Sequence, residues 1–241
     1  MTVAVVLAGG ANSLIRFGTR LSVEYVVEAL RQSPYLERVI IAGSAAELSE
    51  KYRFQDKVEV VNGGLTPVES FLQAYAVVPA GTEQILIATG DVPLLTTEAA
   101  NYFLETCAPL EGELFYSIVH QKVNEEKYPG VERTYVHLRE GIFTGGNLLL
   151  LKTGVVPNCI QEAEKFVQLR KRPLAMAFHV GWHFLWTYLT RKLTLGAAEK
   201  EVSRLLGGVK SVGVICPYPE IGIDVDKESD IILVKKILNG Q

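Results

Sequence analysis

Three carboxylates and one pair of glycines are the residues of this chain whose types and spacing suit chemistry. Asp91 stands in Gly90-Asp91-Val92-Pro93, directly after the apolar run Gln84–Ala88. Asp224 and Asp226 lie two apart in Gly222-Ile-Asp-Val-Asp. In an extended stretch such residues share a face, and like charges so placed repel unless a cation sits between or beside them. Magnesium takes one or two carboxylates together with waters and phosphate oxygens. Gly9-Gly10 end the apolar run Thr2–Ala8. Glycines there let backbone N–H groups approach phosphate oxygens. The combined chemistry would be metal-assisted handling of phosphates. Each feature also has a plainer reading: a tight turn at the glycines, Asp91 capping a helix that starts near Thr97, and an N-cap plus a solvated aspartate at the late pair.

The elements that must position these residues follow from periodicity. Thr2–Ala8 and Gln84–Ala88 are short apolar runs that read as buried strands, and Val39–Ala42 and Val58–Val61 read as strands between them. Between them Val23–Leu30, Ala45–Lys51 and Pro67–Val77 read as helices. Strand–helix alternation gives an α/β fold with a mainly parallel sheet, and ligands of such sheets bind at the carboxyl ends of the strands. The second half changes character. Leu114–His120 and Thr134–Leu138 alternate like strands around a polar connection, Gln121–Arg133, and Leu148–Lys152 is another strand. Gln161–Leu206 reads as helical with breaks at Pro173 and Gly181, Val209–Ile215 as strand, and Asp230–Leu238 as a closing helix capped by Asp226 or Ser229. The whole is one domain with a helical insertion at about 157–208.

Bulk properties narrow the classes. With 241 residues, 48% hydrophobic and 21% charged, the composition is that of a globular domain and not of a disordered chain. A net charge of −3 gives no basic excess for a nucleic-acid surface. Cys107, Cys159 and Cys216 form no CxxC pair, and the first residues lack a signal-peptide pattern, so a cytoplasmic protein is expected. The most membrane-like run, Phe178–Leu189, is too short to span a bilayer.

Together, Leu7-Ala-Gly-Gly10, Gly90-Asp-Val-Pro-Leu-Leu95 and Asp224-Val-Asp-Lys-Glu-Ser-Asp-Ile231 resemble nucleotidyltransferases with a GT-A-like fold, closest to the MobA-like NTP transferases. The resemblance covers most of the first 100 residues and the last 25. It implies a three-layer α/β/α domain and a magnesium- or manganese-dependent enzyme. Such an enzyme joins an NMP to a phosphorylated small molecule and releases pyrophosphate. By the same resemblance Asp91 and Asp226 are catalytic metal ligands with Asp224 as a neighbouring third, and Leu7, Ala8, Gly9, Gly10, Asn12 and Gly90 hold the nucleotide. Gly63 and Ser70 resemble a base-reading loop, with a turn and a plain helix residue as the alternative. Asn147, in Gly145-Gly146-Asn147, falls where related enzymes hold the acceptor, with a tight turn as the alternative. Arg170 and Lys171 are acceptor-phosphate candidates, or a solvated charge run.

The phosphate loop departs from the family pattern. Relatives place an arginine and a lysine soon after the glycines. Here the first cation is Arg16, a third catalytic candidate, and Asn12 stands where the lysine belongs. That supports a rival reading, a nucleotide-binding protein without transfer activity. A dinucleotide-dependent enzyme is disfavoured because no GxGxxG follows the first strand. His179 and His183 are spaced for zinc but have no third ligand, so packing is the reading taken. Their aromatic neighbours suit a core or a homodimer face, ahead of a groove for an apolar acceptor.

Overall fold

The computed structural model describes residues 1–169 and 182–239. Its first half is β1 (Thr2–Ala8), a 3-10 turn (Ala11–Leu14), a small hairpin β2–β3 (Arg16–Phe17, Arg20–Leu21) and α1 (Ser22–Arg31). There follow β4 (Arg38–Gly43), α2 (Ala45–Tyr52), β5 (Val58–Asn62), α3 (Pro67–Tyr75), β6 (Gln84–Thr89) and α4 (Thr97–Cys107). The second half has β7 (Leu114–His120), α5 (Gln121–Lys127), β8 (Val136–Leu138) and β9 (Gly141–Lys152). Helices α6 (Val156–Leu169), α7 (Trp182–Leu189) and α8 (Leu195–Leu205) precede β10 (Ser211–Cys216) and α9 (Glu228–Asn239).

The main sheet runs β10-β7-β9-β6-β1-β4-β5, with β8 added beside β9. β1, β4, β5 and β6 pair in parallel, as do β7 and β10, while β9 lies antiparallel between β6 and β7. The apolar runs divide by alternate residues. Ala4, Val6 and Ala8 of β1 join a core cluster with α1 and α4, whereas Val3 and Val5 join one with α3, α6 and the end of α8. Helices on both faces give the three layers that the family resemblance implies, around the mainly parallel sheet that the alternation predicts.

Several expectations need correction. The polar connection after β7 contains α5, whose His120 cap accepts from the Lys122 N–H. The strand expected at Thr134–Leu138 shortens to Val136–Leu138. Gly145-Gly146-Asn147 is not a turn but the interior of the 12-residue β9. The register of β7 against β9 shifts between Tyr116 and Ile118, and the glycines sit at that irregularity. A Cβ on Gly145 would lie 2.3 Å from the Tyr116 hydroxyl, and one on Gly146 2.3 Å from Ser117 Oγ. Ser117 Oγ in turn donates to the Leu148 carbonyl at 2.9 Å. The bulge needs residues without side chains. Among the described residues no helix is long and apolar enough to cross a membrane.

The crowding at Gly146 predicts that Gly146→Ala lowers unfolding free energy by about 1–3 kcal/mol, the usual cost of overpacking. Gly154→Ala, where nothing lies within 4 Å of the added methyl, should be nearly neutral. Urea denaturation of both variants checks the pair; equal midpoints would contradict the packing argument.

Candidate functional site

The first wall of the site is the end of β1. Gly9 and Gly10 are exposed, and the chain turns at once into the 3-10 segment, where the Ser13 N–H donates to the Gly10 carbonyl at 3.1 Å. Gly10 is extended (φ −84°), and a methyl added there would meet nothing within 4 Å, so this stretch of backbone borders open space rather than a packed turn. Gly90 has a different duty. It is buried, and a Cβ there would meet Ser13 Oγ at 2.8 Å, so this glycine lets the loop settle on the end of β6.

The neighbouring loop is built around Ser70. Thr66 caps α3 by accepting from the Glu69 N–H at 3.1 Å, Pro67 opens the helix, and the Glu69 carboxylate reaches back to the Leu65 N–H at 2.7 Å. This capping box fixes the buried Ser70, whose hydroxyl accepts from the Gly64 N–H at 3.0 Å. Gly9 and Gly63 pack directly on that hydroxyl: a Cβ on either would lie 3.2 or 3.3 Å from it. Ser70 therefore shapes the loop from below, with Gly63 packed against Gly43 at the end of β4 and Gly9 lying at the end of β1.

The second wall carries the carboxylates. Asp91 follows β6, and its carbonyl accepts from the Val225 N–H at 2.9 Å. That bond brings the Asp224–Asp226 segment to the carboxyl end of the parallel strands. Thr96, not Asp91, caps α4, accepting from the Ala99 N–H. Asp91 Oδ1 is buried and has no hydrogen-bond partner among the described residues. Burial pushes this carboxyl above its ordinary range against the opposing pull of the Thr89 hydroxyl, and the charge of Asp226 adds to the rise. Asp224 is pushed up to about 6, first by burial and further by Asp226, against the opposing pull of Arg133. Among the described residues no group of three or more His, Cys, Asp or Glu could hold a metal ion. A cation here would rest on Asp91 and Asp226 and take its other oxygens from phosphate and water, which is how magnesium is usually held.

Arg133 was not singled out by the sequence, where it closes a polar stretch with no periodicity. Its side chain is only 8% exposed and it bonds Asp224 twice, at 2.8 Å to Oδ1 and 3.1 Å to the carbonyl. It also reaches Asp230 at 3.5 Å. Asp230 accepts from the backbone N–H groups of Asp226 and Lys227, at 3.2 and 3.0 Å, and so performs the capping assigned to Asp226 or Ser229. Asp224 is thus already engaged by a cation, and Asp226 is left exposed.

Asn12 makes the contact that joins the two walls: its amide donates to Asp226 Oδ1 at 3.1 Å. Arg16 is exposed on β2. Arg20, on the other strand of the hairpin, lies over the Tyr25 ring, 5.6 Å from its centre. Asn147 uses its amide to donate to the Ile221 carbonyl at 3.1 Å, tying β9 to the turn that leads into Asp224. Buried Glu220 in the same turn pairs with Lys127 of α5. Arg170, Lys171 and His179 lie outside the described residues. Asp224, Asp226 and Asn147 border a cavity of about 1510 Å³, along with Leu7 and Arg133.

Comparison with known proteins identifies the family and the fold. Residues 4–164 match the model of the MobA-like NTP transferase domain. A hypothetical transferase from Thermus thermophilus is 35% identical, with a TM-score of 0.82 over 96% of this chain and 100% of its own. The 4-diphosphocytidyl-2C-methyl-D-erythritol synthase of Anaerococcus prevotii shares the fold at 13% identity and a TM-score of 0.63, over 99% of this chain and 96% of its own. A nucleotidyl transferase from Methanothermobacter does so at 19% and 0.60, over 100% and 99%. No curated protein sequence matches the chain.

The buried ion cluster is directly testable. Arg133→Met leaves Asp224 and Asp230 without their cation and is expected to cost about 3–5 kcal/mol of stability. A shift of under about 1 kcal/mol in chemical denaturation, the scale of an exposed ion pair, would show that Arg133 does not hold the segment.

Proposed function

Because the chain belongs to the MobA-like NTP transferase family, a family of nucleotidyltransferases, we propose that it transfers an NMP from an NTP to a phosphorylated small molecule and releases pyrophosphate. The observation that carries this reading is the meeting of Asp91 and Asp226 beside Gly9-Gly10, fixed by the Val225–Asp91 main-chain bond. The unpartnered, buried Asp91 Oδ1 fits a magnesium or manganese ion, since a buried carboxylate oxygen without a donor calls for some counter-charge. Asp91 and Asp226 would hold the ion, and Asp224, held by Arg133, would keep the segment in place. When bound, the ion neutralises phosphate charge as it builds toward the transition state.

The chain's own residues do the positioning. The open N–H groups at Gly9 and Gly10 receive the triphosphate, and the Gly63-Gly64 loop, propped by Ser70, borders the base. A phosphate oxygen of the acceptor attacks the α-phosphorus in line and forms the new P–O bond. The bond from the α-phosphorus to the bridging oxygen breaks, and pyrophosphate leaves with that electron pair. The attacking phosphate is already ionised at neutral pH, so no side chain needs to take a proton, and catalysis rests on alignment and charge.

A second reading has a specific observation in its favour. The neutral Asn12 amide sits on Asp226, where the family resemblance leads one to expect a lysine. A site short of one cation could bind an NTP and transfer nothing.

Pyrophosphate release, measured with a panel of NTPs and of sugar and cofactor phosphates, tests the first reading. Asp91→Asn is expected to reduce turnover by about 10²–10³-fold. It should also abolish any rise in thermal midpoint caused by magnesium; full activity in this variant would overturn the metal role. Asn12→Lys is expected to tighten NTP–magnesium binding about tenfold in calorimetry, the effect of one added charge-assisted contact. Binding without turnover on any acceptor in the wild type, with turnover gained in Asn12→Lys, would establish the second reading and its cause.

A further inference from the structure

The cavity beside the carboxylates is large and lined mainly by apolar side chains. Sites for drug-sized ligands span about 300–1,000 Å³, whereas this one measures about 1510 Å³. Asp224, Asp226, Lys227 and Asn147 lie together at one end, while Glu199, which accepts from the Gly213 N–H, and Ser211 are polar residues elsewhere on the lining. From there it continues over the sheet. Ile87, Leu149 and Tyr116 form one row across β6, β9 and β7, in register with each other. Val5 extends that row onto β1 and is fully buried, but Ile87 and Leu149 are only half-buried and Tyr116 is 40% exposed. Central strands of a three-layer sheet are normally covered on both faces. Among the described residues of the helical layer, Ile160 and Ala163 of α6 and Phe184 of α7 line the cavity.

An apolar floor that ends at a cluster of phosphate-handling residues has the shape of an amphiphile. We propose that the acceptor is a phosphate monoester of a hydrocarbon alcohol, its chain lying along the Ile87–Leu149–Tyr116 row and its phosphate at the Asp226 end. The proposal rests on the nucleotidyl-transfer reading for its chemistry: the lipid phosphate's oxygen bonds to the α-phosphorus, the bond to the bridging oxygen breaks, and pyrophosphate departs. The cavity assignment can be tested apart from that reading.

Calorimetry on the full chain with butyl, octyl and dodecyl phosphate, each below its micellar concentration, reads chain length directly. Each buried methylene should tighten binding about threefold to fourfold, so octyl phosphate should bind roughly a hundredfold more tightly than butyl phosphate. A flat series overturns the proposal and needs no variant. Ala163→Trp, which fills the cavity from α6, should bring octyl phosphate down to the affinity of butyl phosphate while NTP–magnesium binding stays unchanged. Loss of a wild-type dimer in Ala163→Trp by light scattering, with octyl phosphate unable to dissociate that dimer, would mean that a second copy occupies the cavity, and would overturn the proposal. Pyrophosphate assays separate the two readings. Chain-length-dependent binding with no pyrophosphate from any NTP sinks nucleotidyl transfer and keeps the cavity assignment. Equal turnover of glycerol phosphate and octyl phosphate keeps transfer and sinks the apolar acceptor.

Discussion

One main-chain hydrogen bond, from the Val225 N–H to the Asp91 carbonyl, links the middle of the sheet to the C-terminal segment. Its net contribution to stability is on the order of 1 kcal/mol, small against what it positions. It brings together carboxylates 135 positions apart in sequence (226 − 91 = 135). Burial and the nearby charge of Asp226 both oppose the ionisation of Asp91 and of Asp224. Arg133 answers part of that charge through Asp224, and the N–H groups of Asp226 and Lys227 donate to Asp230. Among the described residues Asp91 Oδ1 is left without a hydrogen-bond partner, as are Thr89 Oγ1, Arg133 Nε and Glu220 Oε2, and a buried carboxylate oxygen of this kind is a place where a ligand's positive charge fits.

The rest of the fold supports this edge from two directions. On one side α9 packs against the β2–β3 hairpin: Phe17, Ile223, Val225 and Val234 share a small core of their own. That cluster holds the phosphate loop beside the 224–226 segment and allows Asn12 to touch Asp226. On the other side the antiparallel β9 enters between β6 and β7, and its glycine bulge lets Asn147 reach the turn before Asp224. The same reversal ends the simple strand–helix alternation. Among the described residues the helices after β9 cover the second face of the sheet only in part, leaving the cavity.

Much of the first half was legible in the residues, because central parallel strands must be apolar on both faces and the glycines and Asp91 follow such runs. The capping box Thr66–Glu69 is likewise a local signal. Other elements were hidden for equally physical reasons. α5 is short and polar, so it leaves no apolar period. The paired glycines of β9 look like a turn because a bulge and a turn both require missing side chains, and only the partner strand distinguishes them. Arg133 carries no local signal at all, since its importance lies in two aspartates roughly ninety positions away (224 − 133 = 91; 230 − 133 = 97).

The sequence by itself determined the layer order, the family resemblance and the types of group available at the strand ends, because these depend on periodicity and on residues adjacent in the chain. The tertiary structure alone decided how those groups are used. It engaged Asp224 with Arg133 and left Asp226 exposed, turned Ser70 into a prop beneath the glycine loop, and set the neutral amide of Asn12 on Asp226. It also opened an apolar floor beside the carboxylates. The reason is that charge compensation and empty volume are properties of what meets in space, and the residues that meet here come from opposite ends of the chain.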